Sequence, residues 1–295
     1  MFVAVLSDKP ELRERFCRLA GKETGKGDIS FYTANFQGRI ITLVEPSLYP
    51  QKIQPLLYAL SIADYAILEV DGLNQYVGEI IVALDLLKKE KGIIISSIPL
   101  PIKGTALEKY EKVETVEAAK EKLLALAPEP IPESPAFALI DSAFAVKSVG
   151  NVALGALKRG TIRKHGRFFI LPEKKDIEIR SIQVQDKDVE EVGPGTRFGI
   201  AFKGELPERG ILVPHTNEFE LKDVLNGRFE KSPFYRDEIR GKMHAYSNFQ
   251  FVGAAVSEGE LKTEKPFASR KGEAILVCDP SNPRLRVAGI FTPTW

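Results

Sequence analysis

The first 127 residues alternate between two hydrophobic patterns. Short apolar runs at 2–6, 29–33, 39–45, 64–70 and 92–97 have the length and continuity of strands buried on both faces. Between them, residues 53–60, 77–89 and 115–126 space their apolar positions three and four apart, the period of a helix lying on a sheet. Another helix is expected after the first strand, with Asp8 as N-cap, Pro10 in the first turn and Glu11 as a capping acid. Leu12, Phe16 and Leu19 share one face of it, and Gly21 ends it. Strand and helix in alternation predict a mostly parallel sheet covered on both sides.

The pattern then changes. Residues 128–135, PEPIPESP, alternate proline with acidic and small residues, which favours an extended connector over a helix or central strand. From 136 onward, short strands of Val, Ile, Phe and Thr are separated by turns at 159–160, 165–166, 193–195, 209–210 and 271–272. Regular short strands with such punctuation predict closed or nearly closed antiparallel barrels, and the length calls for two. The expected organisation is an α/β domain over 1–127, a linker over 128–135, and all-β barrels over 136–214 and 215–295.

Composition narrows the chemistry. The 295 residues hold 41 basic and 40 acidic side chains, a net charge of +1, so any attraction to nucleic acid must be local. Cys17 and Cys278 stand far apart, as expected of two buried fillers in a reduced chain. The N-terminus lacks the basic flank and long apolar core of a leader, and no apolar run approaches the roughly 20 residues of a membrane helix. A cytoplasmic protein with no membrane partner is expected. His165, His215 and His244 lack partners at metal spacing, and no serine lies in a GxSxG elbow, so neither a metal centre nor hydrolytic catalysis is expected.

A parallel sheet invites a phosphate loop after its first strand. Here the chain reads Ser7, Asp8, Lys9, Pro10 and Glu11 where GxxxxGK(S/T) is expected: proline removes an amide donor, and the two acids repel a triphosphate. The stretch GKETGKGD, with Lys26, has its glycines one position too close and reads as a solvated loop. The local feature that stands out lies between Asp141 and Glu173. No acid occurs there, while Lys147, Lys158, Arg159, Arg163, Lys164 and Arg167 are all present, with Phe168 and Phe169 beside them. These cations could follow a phosphate backbone, the alternative being an ordinary solvated barrel face.

The segments IDSAFAVKSVGNVALGALKRGTIRKHGRFFILP, IEIRSIQVQDKDVEEVGPGTRFGIAFKG and ERGILVP resemble the second domain of translational GTPases of the EF-Tu type, especially the selenocysteine-specific elongation factors. RKGE at 270–273 and LRVAG at 285–289 are similar to the third domain of that family. RIITLVEP and SIADYAILEVD fall where its G domain has the strand ending in DxPG and the next strand. The resemblance implies a P-loop-GTPase-like sheet domain followed by two barrels. It also implies that the GTPase positions are degenerate: Lys9 lies in the phosphate loop, Glu45 stands where DxxG binds magnesium, and Ser97 lies where NKxD reads guanine. Residues 113–115 replace the last guanine motif, and no RNA-hairpin-binding extension is expected after the third domain.

The expectation is therefore an elongation-factor-like protein without GTP hydrolysis, with no catalytic residue and no cofactor. Its implied partners are aminoacyl-tRNA, another RNA or the ribosome, contacted by Lys158, Arg159, Arg163, Lys164 and Arg167. Two alternatives remain open: a divergent GTPase using GTP and magnesium through Lys9, Lys26 and Glu45, and a protein-interaction regulator of a genuine translation factor.

Overall fold

The computed structural model describes residues 1–127 and 132–294. Part of the expected linker, 128–131, lies outside the described residues. Met1–Pro128, Phe229–His244 and Ala274–Phe291 form one compact unit. Glu129–Arg228, Ala245–Glu273 and Thr292–Trp295 form a second.

The sheet of the first unit takes its strands from β1 (Phe2–Leu6), β2 (Lys22–Gly25), β3 (Ser30–Phe36), β4 (Arg39–Glu45), β5 (Tyr65–Glu69), β6 (Gly92–Ile95) and β7 (Glu111–Val113). Their order is β2-β3-β4-β1-β5-β6-β7. Pairing is parallel from β4 to β7 and antiparallel at the β2-β3-β4 edge. Helices α1 (Pro10–Ala20), α2 (Gln54–Ile62), α3 (Gln75–Leu86) and α4 (Val116–Ala125) complete the layer structure. Val3 and Val5 face Phe16 and Cys17 of α1 and Val116, Ala119 and Leu123 of α4 in one core, while α2 packs on β1.

Three local expectations need correction. The residue capping α1 is Lys9, whose side chain has no acceptor and makes no cap bond, while the Asp8 carboxylate is taken by Asn74. The buried face of α1 carries Arg13, Phe16 and Cys17, whereas Leu19 is exposed. GKETGKGD is not wholly loop: Lys22–Gly25 is an edge strand paired antiparallel with β3, and Lys26 follows it exposed to solvent.

Two closed antiparallel barrels follow. The first orders its strands Arg167–Leu171, Gly210–Val213, Phe137–Val146, Gly150–Arg159, Thr196–Lys203 and Lys175–Val184, and closes by pairing the last with the first. Ile140, Leu157, Phe168, Ile177, Phe198 and Leu212 are part of its core, so Phe168 points inward as strand alternation requires. Gly160 has φ +70° and lies so close to Ala136 that a Cβ would meet its backbone at 2.5 Å, which explains the glycine after Arg159. The second barrel closes from Glu220–Lys231 through Glu260–Ser269, Gln250–Ser257, Met243–Ser247, Ile275–Cys278 and Val287–Pro293. Both cysteines are buried and free. Among the described residues no helix is long and apolar enough to cross a membrane.

Candidate functional site

Ligands in open α/β sheets gather outside the carboxyl ends of the strands, where connections diverge. At that edge only Ser7, Asp8 and Lys9 separate β1 from α1. Each is committed to the protein itself. The Ser7 hydroxyl accepts from the Lys9 backbone N–H at 3.3 Å. Asp8 Oδ2 accepts from Asn74 Nδ2 at 2.6 Å, while Asn74 Oδ1 caps α3 by accepting from the N–H groups of Tyr76 and Val77. Lys9 pairs with Asp71 at 2.6 Å on a half-exposed surface.

Beneath this loop, Arg13 reaches inward from α1 with none of its surface exposed. Its Nε donates to Glu45 Oε1 at 3.1 Å, one terminal nitrogen to the Ser7 carbonyl at 2.7 Å and the other to the Tyr49 carbonyl at 2.8 Å. The other Glu45 oxygen accepts from the Ser47 hydroxyl at 2.8 Å, which also lies 2.7 Å from Ser30 Oγ. Both carboxylate oxygens are thus bonded, as a buried charge requires.

The segment after β4 is gripped from a second direction. Arg286, 8% exposed, donates to both oxygens of Glu79 on α3, at 2.5 and 2.9 Å, and to the Pro50 carbonyl at 2.9 Å. Its guanidinium lies 5.6 Å from the Tyr49 ring centre and 5.7 Å from that of Tyr76. The Tyr49 hydroxyl donates to the Tyr76 carbonyl at 2.8 Å, and burial pushes its acidity constant well up, so the ring stays neutral. Residues 45–50 therefore hang between Arg13 and Arg286.

Farther along the sheet edge, Ser97 is exposed in a turn where Ser96 Oγ accepts from the Ile98 N–H at 3.2 Å. Beside it a cleft of about 360 Å³ opens among Arg15, Glu69, Ile95, Glu114, Val116 and Glu117.

In the second unit the basic run meets acids from distant sequence. Arg163 pairs with Glu191 at 2.8 Å, across two short strands in antiparallel register, and Lys164 with Glu190 at 3.2 Å. Arg159 pairs with Glu218 at 2.6 Å and lies over Phe137, which also carries Arg270 at 4.8 Å from its ring centre. Lys158 is half-buried; Arg167 is exposed opposite Glu178 in the strand register. His165 occupies the turn between them with φ 64°.

The chain as a whole is similar to known proteins in sequence and in fold. No family model matches the chain. It is 25% identical over 272 residues to the selenocysteine-specific elongation factor of Methanocaldococcus jannaschii, covering 81% of this chain and 58% of that one. It superimposes along its whole length on the elongation factor SelB of Methanococcus maripaludis with a TM-score of 0.78 at 18% identity, covering 79% of that chain. In sequence and in fold it is SelB-like. A bacterial selenocysteine-specific elongation factor, EF-Sec, matches with a TM-score of 0.72 at 18% identity over 98% of this chain and 58% of that one. An uncharacterized protein of M. jannaschii is 28% identical over 293 residues, covering 92% of this chain and 94% of that one.

Sequence reading singled out Lys9, Glu45 and Ser97 at the sheet edge but missed Arg13, Glu79 and Arg286. One signal was available. Arg13 falls three and four residues before Phe16 and Cys17, on the stripe that faces the sheet, where a charge demands a partner.

Proposed function

We propose that this protein is a translation-factor-like binding protein that engages RNA or the ribosome without hydrolysing GTP. The observation that carries the reading is Arg13, whose guanidinium supplies positive charge inside the sheet edge and commits each of its three nitrogens to Glu45, Ser7 and Tyr49. A three-residue loop offers too few amides for a phosphate cradle, and Pro10 contributes none. Both Glu45 oxygens are engaged by Arg13 and Ser47, and the buried guanidinium beside the carboxylate opposes a second cation there. These residues do not fit a magnesium triphosphate, and no catalytic step is assigned to one.

The likeness to selenocysteine-specific elongation factors supports a role in translation, with aminoacyl-tRNA, another RNA or the ribosome as the class of partner. The cations Lys158, Arg159, Arg163, Lys164 and Arg167 of the first barrel are the proposed phosphate contacts. Exposed ion pairs contribute little to stability, so Arg163 and Lys164 can exchange Glu191 and Glu190 for phosphate at small cost. Arg159 is more firmly held, by Glu218 and the Phe137 ring, and is the contact of the five that gives up most to reach a phosphate.

Titration with fluorescent GTP and GDP in magnesium tests the first half of the reading: no saturation in the micromolar range is expected, and micromolar affinity would reverse it. Gel shifts with aminoacylated and deacylated tRNA at two salt concentrations test the second. Retention that falls steeply with salt is expected.

A further inference from the structure

The connection between strands Glu220–Lys231 and Met243–Ser247 opens with Ser232, Pro233, Phe234 and Tyr235. Phe234 is 57% exposed, the highest value of any large hydrophobic side chain among the described residues. A single exposed ring is ordinary on a protein surface; this one is set apart by how it is held. Residues 232–235 form a turn in which the Tyr235 N–H donates to the Ser232 carbonyl at 3.1 Å, with Pro233 restricting the backbone at its second position. The Ser232 hydroxyl accepts from the Phe234 N–H at 3.3 Å. Ser232 and Tyr235 are both buried and tie the turn down: the Ser232 N–H donates to the Ala288 carbonyl at 2.9 Å, and the Tyr235 hydroxyl to Asp279 Oδ2 at 3.1 Å. The ring between these two anchors faces water.

The charges around the turn narrow what the ring could meet. Lys231 and Arg236 flank it in sequence, both exposed, and Lys231 Nζ lies 5.8 Å from the centre of the Tyr235 ring, on the turn itself. The acids close by in sequence or structure are engaged: Asp237 by Arg284 and Asn282, Glu238 by Arg240, Asp279 by Tyr235 and Ser281, and Glu230 is not free either. A fixed aromatic face thus stands beside positive charge that these acids leave to solvent. An aromatic anchor for a protein partner sits within a rim that excludes water, and two exposed cations make a poor rim because docking would strip them of water. An unpaired nucleobase suits both features, since every base has a face to stack and brings a phosphate within reach of the flanking cations. A ring already locked in place loses little freedom on stacking.

We propose that Phe234 is a stacking platform for an unpaired base of RNA, with Lys231 and Arg236 holding the phosphates on either side of that base. The inference rests on the RNA reading above and deepens it: it adds a contact that requires single-stranded RNA, on residues separate from the cations at 158–167.

The test is fluorescence anisotropy of the full chain with a labelled single-stranded RNA of about 12 nucleotides and with a blunt RNA duplex of the same length. Phe234→Ala should weaken binding of the single strand about tenfold and leave the duplex unchanged; the exposure of Phe234 keeps the variant safe for folding. Phe234→Trp should retain the affinity, and its emission should be quenched by the single strand beyond any change in the parent, whose sequence has one tryptophan. Lys231→Ala with Arg236→Ala should flatten the salt dependence. Equal affinity of Phe234→Ala and the parent for the single strand, or no quenching in Phe234→Trp, would overturn the platform. Should Arg163→Glu with Lys164→Glu abolish RNA retention while Phe234→Ala changes nothing, the platform falls and the RNA reading stands; should neither RNA bind the parent, both fall. Self-association in ultracentrifugation that depends on Phe234, without an effect on RNA, would overturn the platform in favour of a protein contact.

Discussion

Glu79 and Arg286 make a bidentate pair in which Glu79 is 2% exposed and Arg286 8%, and the Arg286 backbone N–H adds a third bond to Glu79 at 2.9 Å. The pair joins α3 to the residue just before the strand Val287–Pro293, and Arg286 holds the Pro50 carbonyl as well. Cutting one side of such a pair strands the other charge. Arg286→Ala should cost about 3–5 kcal/mol in urea denaturation. A loss below about 1 kcal/mol would mean that the pair behaves as a surface one.

Glu45→Gln is expected to be as damaging, about 3–5 kcal/mol, because Arg13 keeps its charge while losing its only carboxylate. Glu45→Gln together with Arg13→Met should recover much of that loss, since an uncharged, comparably long side chain then faces a neutral partner. Denaturant midpoints of the single and double variants give the answer, with a coupling near zero as the contrary outcome.

The acids at 190 and 191 make a prediction about RNA. Glu190→Gln with Glu191→Gln removes the internal partners of Lys164 and Arg163 and should tighten tRNA retention and steepen its salt dependence. Arg163→Glu with Lys164→Glu should abolish retention. If both pairs of substitutions leave the gel shift unchanged, the phosphate contacts lie elsewhere.

Burial raises the Glu69 carboxyl above its ordinary value of 4.5, and the nearby Arg15 lowers it only in part. The folded state consequently holds this proton more tightly than the unfolded chain. Its contribution to stability is full below the ordinary value and is lost as pH rises through the raised one. Comparing the parent with Glu69→Gln between about pH 4 and pH 7 isolates the effect: the variant should gain relative stability as pH rises. A difference independent of pH would contradict it.

Much of the fold could be read from the chain because burial and period coincide in it. The run at 39–45 matches Arg39–Glu45 of β4, and the turn glycines and prolines announced two barrels. Some features escaped for physical reasons. Lys22–Gly25 is an edge strand with a mostly polar sequence, held by backbone pairing that leaves no hydrophobic trace. Asp8 had the residue type and place of an N-cap, but the competition was decided by Asn74, distant in sequence. The site was less legible still. The acid-free stretch from 142 to 172 is real along the chain, but Glu190, Glu191 and Glu218 are brought to it by strand pairing and by the following segment. Linear charge patterns report neighbours in sequence, whereas ion pairs answer to neighbours in space.

Tyr49 stands between the two buried arginines, giving its carbonyl to Arg13 and its ring face to Arg286. Neither guanidinium can be exchanged without altering what the shared residue must satisfy. Lineages that descend from this chain should therefore keep or replace positions 13, 49 and 286 as a set, leaving a correlated trace in their alignment.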